Sequence, residues 1–228
     1  MGRRLLLPLL LLSFPFGCAS NQALTRRALG TPEMGGIAVL RTILSADYKG
    51  SPTFENLKRQ MTMGELRLPH SGSLLADIHR AGEKDARGGS PFEGVIVFPH
   101  LEPGTYVLRS MEQPREVVEH FQDWQVIANR KEYRLDAQGG DITFEVRSGQ
   151  PVYIGTLELE VFYDTNVLED AKRVELEAAQ FHASLRRIPA DEIEIWNAFL
   201  RRAPESPWAP VFKERVEWLR AQPTSFAR

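Results

Sequence analysis

Five histidines (His70, His79, His100, His120 and His182) and a single cysteine, Cys18, are the side chains with the widest chemistry in this 228-residue chain. Their spacing does not suit a metalloenzyme. No two histidines flank a glutamate at the four-residue interval that lets one helix face hold zinc, and no cysteine follows Cys18. His70, Asp77 and His79 share a polar stretch and could meet through folding of a loop. A solvated loop accounts for them more simply, so no metal site is expected. Glu116 and His120 would face one another only on a helix, and a charged strand edge explains them and Glu119 as well. The HSGSL run at 70–74 lacks the first glycine of a nucleophile elbow, and ARGGSP at 86–91 lacks the lysine of a phosphate loop. The carboxylates are scattered rather than paired. The chain is expected to be non-catalytic, with no cofactor, no metal and no catalytic residues.

Cys18 stands where an apolar run stops. Residues 1–21 read MGRRLLLPLLLLSFPFGCASN: Arg3 and Arg4 form a basic start, and Leu5 to Phe16 are almost wholly apolar. That run is shorter than the ~20 apolar residues a spanning helix requires and fits the core of an export signal. A lone thiol cannot close an intramolecular disulfide, which leaves two readings. It is lost with the leader, or it is the reason for the leader. The segment resembles the bacterial lipoprotein signal, in which a small residue, here Gly17, precedes the modified cysteine. Pro15 and Phe16 depart from the usual residues of that motif. The resemblance implies a signal peptide at 1–17, lipidation at Cys18, and a polar tether at 18–33. Ala19 carries no acidic retention signal, so the expected site is the outer membrane, facing the periplasm.

The elements beyond the tether follow from period and punctuation. Strands are expected at Gly36–Leu44, Met61–Leu68, Gly94–Phe98, Thr105–Met111, Trp124–Ala128, Ile142–Val146 and Val152–Phe162, separated by turns such as Pro103–Gly104. Residues 70–91 read as a long polar loop with one helical turn around Leu74–His79. From Val174 the apolar spacing becomes helical: Leu176, Ala179, Phe181 and Leu185, then Ile193 to Leu200, then Val211 to Leu219. These runs close with LRRIP, LRRAP and LRAQP, where cations meet the negative helix end and proline stops it. Ser206–Pro207 reads as a helix start. The expected fold is therefore mainly β: an antiparallel β-sandwich of the prealbumin or immunoglobulin kind at 34–164, with a three-helix extension at 165–228.

Two stretches carry a further resemblance. PHLEPGTYVLRS and FEVRSGQPVYIGTLEL are similar to small bacterial lipoproteins with a transthyretin-like or carboxypeptidase-regulatory-like sandwich of unknown function, through Gly104, Tyr106, Gly149, Val152, Tyr153, Ile154 and Gly155. The resemblance implies a fold and an envelope setting, and it brings no catalytic residues. Core packing explains the two tyrosines fully, with ring buried and hydroxyl near a partner. EIWNAFLRRAPESPWAPVFKERVEWL resembles one tetratricopeptide-type hairpin, through Phe199, Leu200, Pro204, Ser206 and Pro207. One hairpin cannot stand alone. Trp196, Trp208 and Trp218 either join it to its own sheet or offer a surface to an envelope protein.

Composition narrows the partners. Net charge is −2, or about −4 without Arg3 and Arg4, and residues 165–228 carry ten basic and ten acidic side chains. No basic stripe exists for nucleic acid. The expected role is binding or scaffolding at the cell envelope. The alternatives are an envelope hydrolase using residues 70–91 and a glycan- or peptide-binding module, which an exposed aromatic cleft would favour.

Overall fold

The computed structural model describes residues 29–50, 54–56, 59, 74–92, 94–114, 116–121, 123–135 and 141–222. It is a mainly β structure of two sheets with a C-terminal helix pair. Twelve strands are described: β1 (Gly36–Lys49), β2 (Leu75–Arg80), β3 (Ala86–Gly88), β4 (Ser90–Phe92), β5 (Val95–Leu101), β6 (Gly104–Gln113), β7 (Glu116–Phe121), β8 (Trp124–Ala128), β9 (Lys131–Arg134), β10 (Ile142–Val146), β11 (Pro151–Leu168) and β12 (Arg173–Arg186). Two helices follow, α1 (Pro189–Arg202) and α2 (Ala209–Ala221).

The larger sheet runs β4-β5-β1-β11-β12-β8-β7, and the smaller runs β10-β6-β2-β3. β9 pairs with β6 beyond the end of β10. Between the sheets lies the main core, with Leu40, Phe98, Tyr106, Met111, Val161 and Leu176 among its members. A second core lies on the other side of the larger sheet. There Ile37, Val39, Val95, Val97 and Tyr153 meet Trp196, Phe199, Trp208 and Phe212 of the helices. The larger sheet is thus a middle layer over part of its length only.

This half-covering is written along β1. Its first five residues, GIAVL, are buried regardless of face, and from Thr42 onward burial alternates. β11 repeats the pattern, buried from Tyr153 to Leu157 and alternating afterwards. A strand covered on both faces is continuously apolar, whereas one with a wet face alternates. β1 and β11 run parallel, so their doubly covered starts lie side by side. β12 and β8 are also parallel. The expected β-sandwich with a C-terminal helical extension is present, and apart from these two pairings the described strand pairs are antiparallel.

The boundary expected at 164/165 is corrected as well. β11 continues to Leu168 and turns directly into β12, so that cut would fall inside a hairpin. The first expected helix is this strand. Its inward residues are Val174, Leu176 and Ala178, then Phe181, Ala183 and Leu185. One extra residue, Ala179, bulges out where Phe162 and Tyr163 meet Gln180 and Ala178. That single insertion shifts a period of two by one place and mimics helical spacing in a run rich in Ala, Glu and Leu.

Residues 74–92 also differ from expectation. They hold β2, β3 and β4 instead of a polar loop with a helical turn. Only Ala76 and Ile78 of β2 point into the core, too few to mark a strand by pattern alone. The strands expected at Trp124–Ala128 and Ile142–Val146 have those bounds. The expected strand Met61–Leu68 lies outside the described residues. α2 begins at Ala209 rather than at Ser206–Pro207; the Ser206 hydroxyl accepts the Trp208 N–H at 3.3 Å one turn earlier.

Candidate functional site

The turn before β6 shows how local chemistry fixes the sandwich. Tyr106 is fully buried, stacks on Phe144 at 5.8 Å, and donates its hydroxyl to the Glu102 carbonyl at 3.0 Å. A tyrosine bonded to backbone a few residues upstream locks the corner where a strand enters a β-sandwich. Gly104, at φ 154°, lies under the Arg80 guanidinium, where an added Cβ would come within 2.8 Å of Nε. Arg80 in turn donates to Glu102 and to the Pro103 carbonyl, both at 2.8 Å. Burial raises the Tyr106 phenol above its ordinary range, outweighing the opposing pull of Arg87 and Arg80. Tyr106→Phe is expected to cost about 1 kcal/mol and to lower the melting temperature by a few degrees, read by circular dichroism. Tyr153 behaves alike: its hydroxyl lies 2.6 Å from Thr156 Oγ1, which donates to Asp191 Oδ2 at 2.9 Å. Both tyrosines are structural.

A second polar group lies between the sheets. Gln113 is fully buried at the end of β6, and its Oε1 accepts the hydroxyls of Tyr133 at 2.5 Å and Tyr163 at 2.7 Å. Its amide nitrogen has no hydrogen-bond partner among the described residues. Burial pushes the Tyr133 and Tyr48 phenols far above their ordinary range, so both stay neutral. Tyr48 stacks on Tyr163 at 5.6 Å. Neutral, buried phenols act as donors and packing surface, not as bases.

Next to this stack is a cleft of about 530 Å³, lined by Asp47, Tyr48 and Lys49 of β1, Phe162, Tyr163 and Asp164 of β11, and Ala179 and Gln180 of β12. The register sets Asp47 beside Phe162 and Phe162 beside Gln180. The bulge at Ala179 lies at that row. Phe162 makes an edge contact with His182 at 5.7 Å. The cleft offers charges of both signs, an amide and aromatic edges, which can hold a polar ligand by hydrogen bonds and ring contacts. A smaller groove of about 420 Å³ runs between β10 and β11. Arg187 closes its end, donating to the carbonyls of Ile154 at 2.8 Å and Thr143 at 3.1 Å.

The residues singled out for chemistry do not converge among the described ones. Asp77 and His79 sit in β2, His100 in β5 and His182 in β12, and no group of three metal-ligating side chains is found. Glu116, Glu119 and His120 are on strand β7, so the helical pairing of Glu116 with His120 does not arise. His70, the HSGS residues and Cys18 lie outside the described residues. Trp196 and Trp208 join the helix pair to its own sheet, while Trp218 is half exposed with Arg215 over its ring at 4.5 Å. Sequence reasoning passed over Glu192. It is buried on α1 and accepts from Trp196 Nε1 at 3.0 Å and from Arg215 of α2 at 2.7 and 3.3 Å. The signal was present: an acidic residue four places before Trp196, inside an apolar helix stripe.

No family model, curated protein or solved structure matches this chain.

Proposed function

We propose that this protein is a non-catalytic lipoprotein of the bacterial cell envelope, anchored through Cys18, that presents a binding surface at the end of the sandwich remote from its anchor. One observation carries the reading. Leu29, the first described residue, leads into β1 at Gly36, while the cleft lies at Asp47–Lys49 on the same strand. Eleven residues of strand from Gly36 to Asp47 separate these two ends by about 36 Å. The parallel β11 repeats this polarity, beginning at the lead-in end and reaching the cleft at Phe162. A tether held at one end and a cleft at the other suit a module that faces away from a membrane. The leader and its cysteine support the envelope setting; the Phe162 ring with Asp47, Lys49 and Gln180 along the cleft supports polar ligands such as a glycan or an extended peptide.

Cys18→Ala tests the anchor. The parent chain is expected to incorporate a clickable fatty acid and to sediment with membranes. The variant is expected to lose the label and either to accumulate as precursor or to become soluble. An unlabelled mature chain beginning beyond Cys18 would overturn the reading. Among the described residues no helix is long and apolar enough to cross a membrane.

A further inference from the structure

We infer that the C-terminal helix pair is a strap over the N-terminal lead-in, fixing the point at which the tether leaves the body. Leu29 is buried in the second core, and its carbonyl accepts the Trp208 indole N–H at 3.1 Å. These partners are 179 residues apart in sequence. The indole that grips the chain is itself fully buried and stacks on Phe212 at 5.8 Å. Immediately after Leu29 the backbone turns through Gly30 at φ 63°, pressed so closely on His100 that an added Cβ would come within 2.0 Å of the ring. The lead-in then forms a short 3-10 turn, with Met34 N–H bonded to Thr31 and Gly35 N–H to Pro32. Finally the Gly35 carbonyl accepts the Gly149 N–H at 3.1 Å. The lead-in is thus pinned at two places, by the helices at Leu29 and by the β10–β11 turn at Gly35.

The strap sets a length. With Leu29 held, the chain from Cys18 to Leu29 spans eleven residues, at most about 40 Å. With the lead-in released up to Gly36, eighteen residues would reach about 65 Å. A binding event on the helices that lifts Trp208 would therefore let the body stand further from its anchor. This consequence rests on the lipid-anchor reading, whereas the strap does not.

Hydrogen exchange followed by mass spectrometry on the full chain tests it. Trp208→Phe keeps an aromatic ring but removes the N–H and part of the buried indole, and is expected to speed exchange at Met34 and Gly35 at least fivefold, the N–H alone accounting for about 1 kcal/mol. Trp208→Ala is expected to exceed tenfold there. Gly30→Ala, which attacks the same segment without touching the helices, is expected to act likewise. Exchange in β11 and β12 should stay within twofold, and Trp218→Ala should change nothing. Unchanged exchange at residues 29–35 in Trp208→Phe and Gly30→Ala would overturn the strap, as would an equal rise throughout β1. Should Trp208→Ala unfold the whole chain, the two milder variants decide. The same measurement on Cys18→Ala separates the two ideas: the strap effect persists there even if the anchor reading fails.

Discussion

A fragment of residues 34–164 will show no cooperative thermal unfolding, whereas residues 29–187, which keep every described strand and lack the helix pair, will retain it at a lower midpoint. The shorter piece loses β12 and with it Val174, Leu176 and Ala178 of the main core. It also strands β7 and β8, because β8 reaches the rest of the larger sheet only through β12. Each large apolar side chain withdrawn from the core forfeits ~1.5–3 kcal/mol. A whole strand therefore removes an amount comparable with the ~5–15 kcal/mol that holds a domain together. The longer piece keeps every described strand and gives up the second core, whose loss exposes Ile37, Val39 and Val97. Calorimetry of both fragments decides. A sharp transition in 34–164 near that of the full chain would mean that β12 is dispensable and that the boundary lies at 164 after all.

Glu192→Ala will destabilise the protein by about 2–3 kcal/mol, a fall of roughly 5–10 °C in melting temperature. Glu192 is the acceptor for two donors from different helices. Its removal leaves the Trp196 indole N–H buried without an acceptor and Arg215 without its carboxylate. The side chain of Arg215 is 34% exposed, so water recovers part of its loss and the lower end of the usual cost of breaking a buried pair applies. Glu192→Gln restores an acceptor for the indole and should recover about 1 kcal/mol. A double-mutant cycle with Arg215→Ala isolates the pair itself. A cost below ~0.5 kcal/mol for Glu192→Ala would show that apolar contacts among Trp196, Phe199 and Phe212 hold the helices without the ionic latch.

Much of the sandwich was legible because it alternates. Ile142–Val146 carries its apolar residues at a period of two, and Trp124–Ala128 is a short run rich in β-forming residues, buried from Val126 to Ala128. The corner at Tyr106 was legible from turn chemistry alone, since Pro103 and Gly104 announce a change of direction and an aromatic with a hydroxyl follows. β12 was not, because the bulge at Ala179 breaks its phase midway and its residues favour helix. β2 was not, because charged and polar residues outnumber Ala76 and Ile78, and only pairing with β6 makes it a strand. Tertiary contact overrides propensity in both. The cleft could not be read at all. It assembles Asp47, Phe162 and Gln180 from three strands whose alignment depends on a parallel pairing and a bulge. Trp196 and Trp208 announced an apolar contact, but only the fold shows that Trp208 reaches back to Leu29.

The central claim is that the tether and the cleft lie at opposite ends of the body, with the cleft turned away from the membrane. Collisional quenching by lipids spin-labelled at the headgroup measures this on the natively processed, membrane-bound protein. A fluorescent amino acid replaces Met34, which is 61% exposed beside the lead-in, or Asp47 at the cleft. The account predicts stronger quenching at position 34 than at position 47, with both signals independent of the headgroup label once Cys18→Ala removes the anchor. Equal quenching at the two positions, or stronger quenching at 47, would contradict it.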